Sequence, residues 1–274
     1  MSEATEVSPA PAFRSGPPPA GPLSKRVRFR WILEVVFIAV AGTVHDLYRN
    51  WVMGGRAQSL SRAKAYTSLE RSLGLYQERA IQHFFLEWPA AVGAWNVYYD
   101  TAHFLVPIVA AVYLYRRVPE RYVRWRNIFL VMLFVTGPFG WYTFPVTPPK
   151  YMPKSYGFVD TQVKYFNVGT QRRLEFGRDG EPKPEVVLAL GNVYSGMPSH
   201  HVSWAFWSLC ALWPVTRRRW VRGLLIIHVF LTIGAITVTG NHRFIDIAGS
   251  AAEVTIAFGI VLAIERLVKR RRST

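Results

Sequence analysis

Two short segments hold the residues best suited to chemistry: Met197-Pro198-Ser199-His200-His201 and Asn241-His242-Arg243-Phe244-Ile245-Asp246. His242 and Asp246 stand four positions apart, so on a helix they share one face. A carboxylate beside an imidazole fixes its tautomer and stabilises its cation, which frees the other ring nitrogen to attack or to exchange protons. The same pair suits a plainer role, because an acid near a helix start is also favoured by the helix dipole. Pro198 and Ser199 read as a helix start. Free N–H groups there attract phosphate, Ser199 adds a hydroxyl donor or a simple cap, and a nearby histidine can protonate a leaving alkoxide. His200 and His201 point about 100° apart on a helix, so one of them faces a common site. A third segment, Pro145-Val146-Thr147-Pro148-Pro149-Lys150, stops a helix and holds the chain extended. It offers Lys150 as a fixed charge for phosphate or as an interfacial anchor. Asn96, Tyr99 and His103 fall at i, i+3 and i+7, a polar stripe that supports the site or bonds neighbouring helices. Glu34 and the pair His45-Asp46 are weaker signals, and His228 reads as a core residue.

These residues border apolar runs long enough for a bilayer, which takes about 20 residues. Six runs are predicted: Trp31–Leu47, Pro89–Tyr115, Ile128–Phe144, Ser199–Val215, Val221–Val238 and Phe244–Leu267. The first lies too far along and is too flanked by charge for a cleaved signal peptide. The predicted fold is an all-α, polytopic six-transmembrane-helix bundle, an integral membrane protein of a bacterial cell membrane. The formal net charge is +16, from 33 Lys and Arg against 17 Asp and Glu. Basic residues crowd the flank before the first run, the second and fourth gaps, and the C-terminal end, which makes that side cytoplasmic. Both termini then lie in the cytoplasm, and the segments around Lys150, Ser199 and His242 meet at the extracytoplasmic face. The basic excess belongs to this flanking pattern and to contact with membrane lipids, with no nucleic-acid partner.

Residues 1–24 are rich in Pro, Ser, Ala and Gly and read as a disordered cytoplasmic tail. Residues 25–268 form the membrane domain, and 269–274 a basic tail. Leu69, Leu73, Tyr76, Ala80 and Phe84 recur at helical spacing, an amphipathic helix bent near Gly74 that lies along the outer interface or caps the bundle. The loop from Tyr151 to Gly191 is long enough to serve as a lid or substrate-binding element. Cys210, the only cysteine, offers no disulfide and reads as a small apolar core residue. His200, His201, His242 and Asp246 could in principle ligate a metal, but no second His-x-x-His or Glu-x-x-His pair appears among the seven histidines. No metal and no cofactor is therefore expected.

In this order the clusters resemble the type 2 phosphatidic acid phosphatase superfamily, whose second motif is Pro-Ser-x-His and whose third ends in His-x-x-x-Asp. The chain is also similar to the inositolphosphotransferase-like branch. Its motifs correspond to Pro148-Pro149-Lys150, Met197-Pro198-Ser199-His200-His201 and Gly240-Asn241-His242. The likeness covers about Asn96 to Ala251. It implies a lipid phosphatase or phosphotransferase in which His242 is the nucleophile and forms a phosphohistidine, Asp246 orients it, and His201 protonates the leaving alcohol. Ser199 and Lys150 would bind phosphate oxygens, and His200 occupies the variable position. The implied partners are a lipid phosphate and either water or a polyol or sugar acceptor. Where the family carries an arginine six residues before the nucleophile, this chain has Ile236. Arg243, or a loop base among Lys154, Arg172 and Arg173, is expected to supply that charge. The other reading is a non-enzymatic lipid-binding or assembly protein that retains the fold.

Overall fold

A computed structural model describes residues 25–51, 56–162 and 196–273. The expected tail 1–24, most of the loop between Tyr151 and Gly191, and Arg172 and Arg173 lie outside the described residues. The chain is helical, with no β-strand among the described residues. We number the helices α1 (Lys25–Trp51), α2 (Arg56–Ser72), α3 (Glu78–Leu86), α4 (Pro89–Arg117), α5 (Pro119–Val131), α6 (Gly137–Thr143), α7 (His200–Leu212), α8 (Arg219–Val238) and α9 (Phe244–Ser273). A π turn over Met132–Thr136 joins α5 to α6, and two 3-10 turns, Pro149–Tyr151 and Lys154–Tyr156, follow α6.

Proline punctuates these elements. Pro89 opens α4 and Pro119 opens α5 in the first turn, where a missing N–H costs nothing. Pro138 follows the π turn, which widens the helix where a proline ring would otherwise meet the carbonyl four residues back. The third apolar run is thus the second half of a longer helical segment that starts at Pro119. Gly74 has φ +69 and separates α2 from α3, the bend expected from the sequence.

Among the described residues, three helices, α4, α8 and α9, are long and apolar enough to cross a membrane. Large apolar side chains such as Val36 and Val40 on α1, Phe104 and Ile108 on α4, Phe230 on α8 and Ile264 on α9 are exposed. A belt of that extent suits lipid, not water. The protein is a membrane protein. Cys210 is exposed on α7, which corrects the core assignment.

The short α7 is central, packed by α4, α8 and α9. Towards its C-terminal end lies the apolar core, where Leu114, Trp125, Ile128, Met132, Trp207, Ala211 and Val254 pack together. Trp207 Nε1 donates to Trp125 O at 2.9 Å. Ion pairs tie this end laterally: Arg126 to Glu34 of α1 at 2.6 Å and Arg124 to Glu265 of α9 at 2.8 Å. Lys269 to Arg272 continue on the last turns of α9. The opposite end of α7 carries the polar residues.

Candidate active site

Ser199 takes the cap position of α7 in an extended conformation, but its side chain caps nothing. Its N–H donates to Ser250 Oγ at 3.1 Å, and Ser250 Oγ donates back to Ser199 O at 3.0 Å. Ser199 Oγ is buried with no hydrogen-bond partner. A buried donor without a partner is costly. The plain capping role weighed for Ser199 does not describe this geometry.

The two histidines that follow diverge, as their angular separation requires. The His201 ring stacks on Tyr99 with centroids 4.0 Å apart, lies 4.2 Å from the His103 ring, and faces the His242 ring at 6.0 Å. Asn96, in the same α4 stripe, is buried and bonds Thr161 at 3.3 Å. The stripe Asn96, Tyr99 and His103 therefore faces inward, with its two rings against His201. His103 Nδ1 lies 2.6 Å from Tyr99 O; since a carbonyl only accepts, Nδ1 carries the hydrogen.

His242 and Asp246 meet, but not on one helix face: His242 lies in the loop before α9 and Asp246 in its first turn. His242 Nδ1 lies 2.8 Å from Gly196 O and 3.3 Å from Asp246 Oδ2. A carbonyl and a carboxylate both accept, so Nδ1 is the protonated nitrogen and the lone pair sits on Nε2. Asp246 Oδ2 also accepts the Arg243 N–H at 2.9 Å. The acid is thus a helix-start cap and an imidazole partner at once, and its Oδ1 is buried without a donor.

Lys150 is held against this loop by its N–H, which donates to Gly240 O at 2.9 Å. Its ammonium donates to Gln162 Oε1 at 2.7 Å and pairs with Asp160 at 3.8 Å. Burial pushes the Lys150 pKa down, with Asp160 and Asp100 opposing. Arg243 is fully buried and turns its guanidinium to Thr147 O at 2.8 Å and Thr67 Oγ1 at 3.4 Å. Burial lowers its pKa too, against Asp246, Glu70 and Glu78. Lys154 is exposed in the second 3-10 turn. Ile236, where the missing arginine would stand, lines a narrow pocket with Tyr98, Tyr99, His103, His201, Thr232 and Ala235. No cluster of three or more metal-ligating side chains occurs among the described residues.

Sequence reasoning missed a second polar cluster behind the first. His200 Nε2 lies 3.1 Å from Glu253 Oε1, and Ser203 Oγ donates to Glu253 Oε2. His45 stacks on His200 with centroids 5.7 Å apart, and Trp141 lies 4.4 Å away. The signal was present in the row Asp246, Ser250, Glu253 at i, i+4 and i+7, one stripe of α9 that is buried throughout. Each member grips a different part of the α7 start or of the His242 loop. Gly137 lets α6 approach this cluster: a Cβ there would sit 2.3 Å from His200 Nε2 and 2.8 Å from Met132 O. Gly137→Ala is expected to cost about 1–3 kcal/mol by overpacking. It should lower the thermal midpoint in detergent, whereas Gly93→Ala, which meets open space, should not.

The fold and the site define a helical membrane protein that gathers two histidines, an aspartate, a serine and a lysine at one end of its bundle. Residues 64–260 match the PAP2 superfamily, and the chain belongs to that superfamily. No curated protein and no solved structure matches it. Membership indicates an enzyme of phosphatase or phosphotransferase type.

Proposed function

We propose that the protein is a lipid phosphatase or phosphotransferase that works at the extracytoplasmic face of a bacterial cell membrane through a phosphohistidine on His242. The observation that carries this reading is the His242 ring itself. Its Nδ1 is committed to Gly196 O and Asp246, and the His201 ring stands 6.0 Å away, within reach of one phosphorus centre.

The steps follow from that arrangement. His242 Nε2 attacks phosphorus and forms a P–N bond while the P–O bond to the lipid alcohol breaks. Protonated His201 gives its proton to the departing alkoxide. Asp246 stabilises the positive ring. Ser199 Oγ, the N–H groups at the α7 start and Lys150 take the phosphate oxygens. Phosphate would draw Lys150 from Gln162 and Asp160, the partners it holds without substrate. Arg243 adds positive field from its buried place beside His242. Water or a hydroxyl then attacks phosphorus, neutral His201 takes its proton, and the P–N electron pair returns to Nε2.

Six spans fit the placement of the site: α1, α4, the α5–α6 segment, α7, α8 and α9 cross, with both chain ends in the cytoplasm. The α2–α3 hairpin lies along the outer interface. Its exposed residues Leu69, Leu73 and Phe84, with Trp88 at the start of α4, suit the acyl boundary. The motifs Pro148-Pro149-Lys150 and Met197-Pro198-Ser199 lean towards the inositolphosphotransferase-like branch, so a polyol or sugar is the acceptor of choice.

The test is incubation of the pure protein with a panel of labelled lipid phosphates, with and without inositol or sugars. We expect lipid-derived phosphate in free form or on the polyol, lost in His242→Ala. Binding without turnover across the panel would favour a lipid-binding protein that retains the fold.

A further inference from the structure

The α2–α3 hairpin turns two acids and an amide inward. Glu78 Oε1 accepts the N–H of Phe244 at 2.9 Å, and Glu70 Oε1 accepts the N–H of Ile245 at 2.9 Å. These are the first N–H groups of α9, the helix that carries Asp246, and they directly follow His242 and Arg243. Gln82 extends the same hold: its amide donates to Val238 O and Val159 O at 3.0 Å each, and its oxygen accepts the Val159 N–H. All three side chains are fully buried. Helix starts normally take such bonds from a residue next to them in sequence. Here the acceptors arrive from another element, more than 160 residues away.

We infer that Glu70 and Glu78 are positioning residues that set the His242–Asp246 geometry and together hold one proton in the competent state. The inference rests on the catalytic reading of His242. Oε2 of each glutamate is buried and takes no donor. Two adjacent buried carboxylates do not both ionise readily. Burial first, and the charge of Glu78 second, push Glu70 up to about 8. The charged group acting on Glu70 besides Glu78 is Arg243, beside the α9 start, and Arg243 is in turn faced by Asp246, Glu70, Glu78 and Tyr76, the last in the turn between α2 and α3. Arg243 faces Asp246 and one ionised glutamate, two negative charges against its one positive; loss of the shared proton adds a third. The folded state favours the protonated acid, so this contribution is complete at low pH and fades as pH rises from the ordinary glutamate value of 4.5 through about 8. The cap, and with it His242, then loosens on the alkaline side.

The experiment uses the full chain in lipid nanodiscs. His242 is labelled with diethyl pyrocarbonate and quantified by mass spectrometry across the pH range around 8, in parallel with phosphate release. In the wild type, labelling of His242 and the rate should both show a step near pH 8, and Glu70→Gln, which keeps an oxygen for the Ile245 N–H, should remove it. The double variant Glu70→Ala/Glu78→Ala should lower kcat about ten- to a hundredfold through misplacement, with KM changed less than kcat. Superimposable wild-type and Glu70→Gln labelling curves would overturn the inference, even if the double variant fails to fold. The labelling arm does not need turnover. Turnover retained in His242→Ala would instead overturn the catalytic reading, and the step in labelling would still decide the cap.

Discussion

Replacing His242 with alanine is expected to lower lipid phosphate turnover by at least about ten-thousand-fold, the scale seen when a nucleophile is deleted from a coupled catalytic set. The effect is large because nothing nearby can take the ring's place. His201 is packed between Tyr99 and His103, and the lysine and arginine of the site are charged donors. Water attacking phosphorus directly could use neutral His201 as base, but that leaves no protonated histidine for the departing alkoxide. The variant should still fold, because the ring bonds mainly to a carbonyl at the rim of the bundle. Phosphate release, read beside the thermal midpoint in detergent, separates lost chemistry from lost structure. Turnover within tenfold of wild type in a folded variant would remove His242 from the reaction.

Asp246→Asn is expected to cost about ten-thousandfold, the scale of removing the carboxylate behind a catalytic imidazole. The amide keeps the shape and can still accept the Arg243 N–H, so the α9 start should survive. It loses the negative charge that stabilises the positive ring, and its NH2 group can oppose the Nδ1–H tautomer. The loss should fall on kcat more than on KM, because Asp246 is fully buried behind His242 and is not placed to touch substrate. A variant with a normal kcat and a raised KM would assign Asp246 to binding.

Much of the site is legible in the sequence because polar residues beside long apolar runs are expensive and rare. His201, His242, Asp246, Ser199 and Lys150 announce themselves in this way, and the spacing of Asn96, Tyr99 and His103 places them on one face. What escapes notice follows from the solvent. Leu69, Leu73 and Phe84 mark a helical stripe, and in water that stripe would point inward. Here these residues are exposed, while Glu70, Glu78 and Gln82 are buried. At a membrane margin apolar surface has a second place to go, so an apolar stripe no longer says which face meets the protein. Cys210 misleads for the same reason. Glu253 is hidden by its setting, one acid in the apolar run Phe244–Leu267, and only its register with Asp246 and Ser250 betrays it. The π turn before Gly137-Pro138 has no periodic signature, since one widened turn shifts the pattern by less than the irregularity of real sequences.

The most direct test of the central claim is to trap the covalent intermediate. Wild-type protein mixed with a 32P-labelled lipid phosphate and quenched in alkali should carry an acid-labile, base-stable phosphoryl group, located on His242 by mass spectrometry and absent from His242→Ala. Rapid turnover with no phosphoryl-protein at any time, or with the label on another residue, would contradict it.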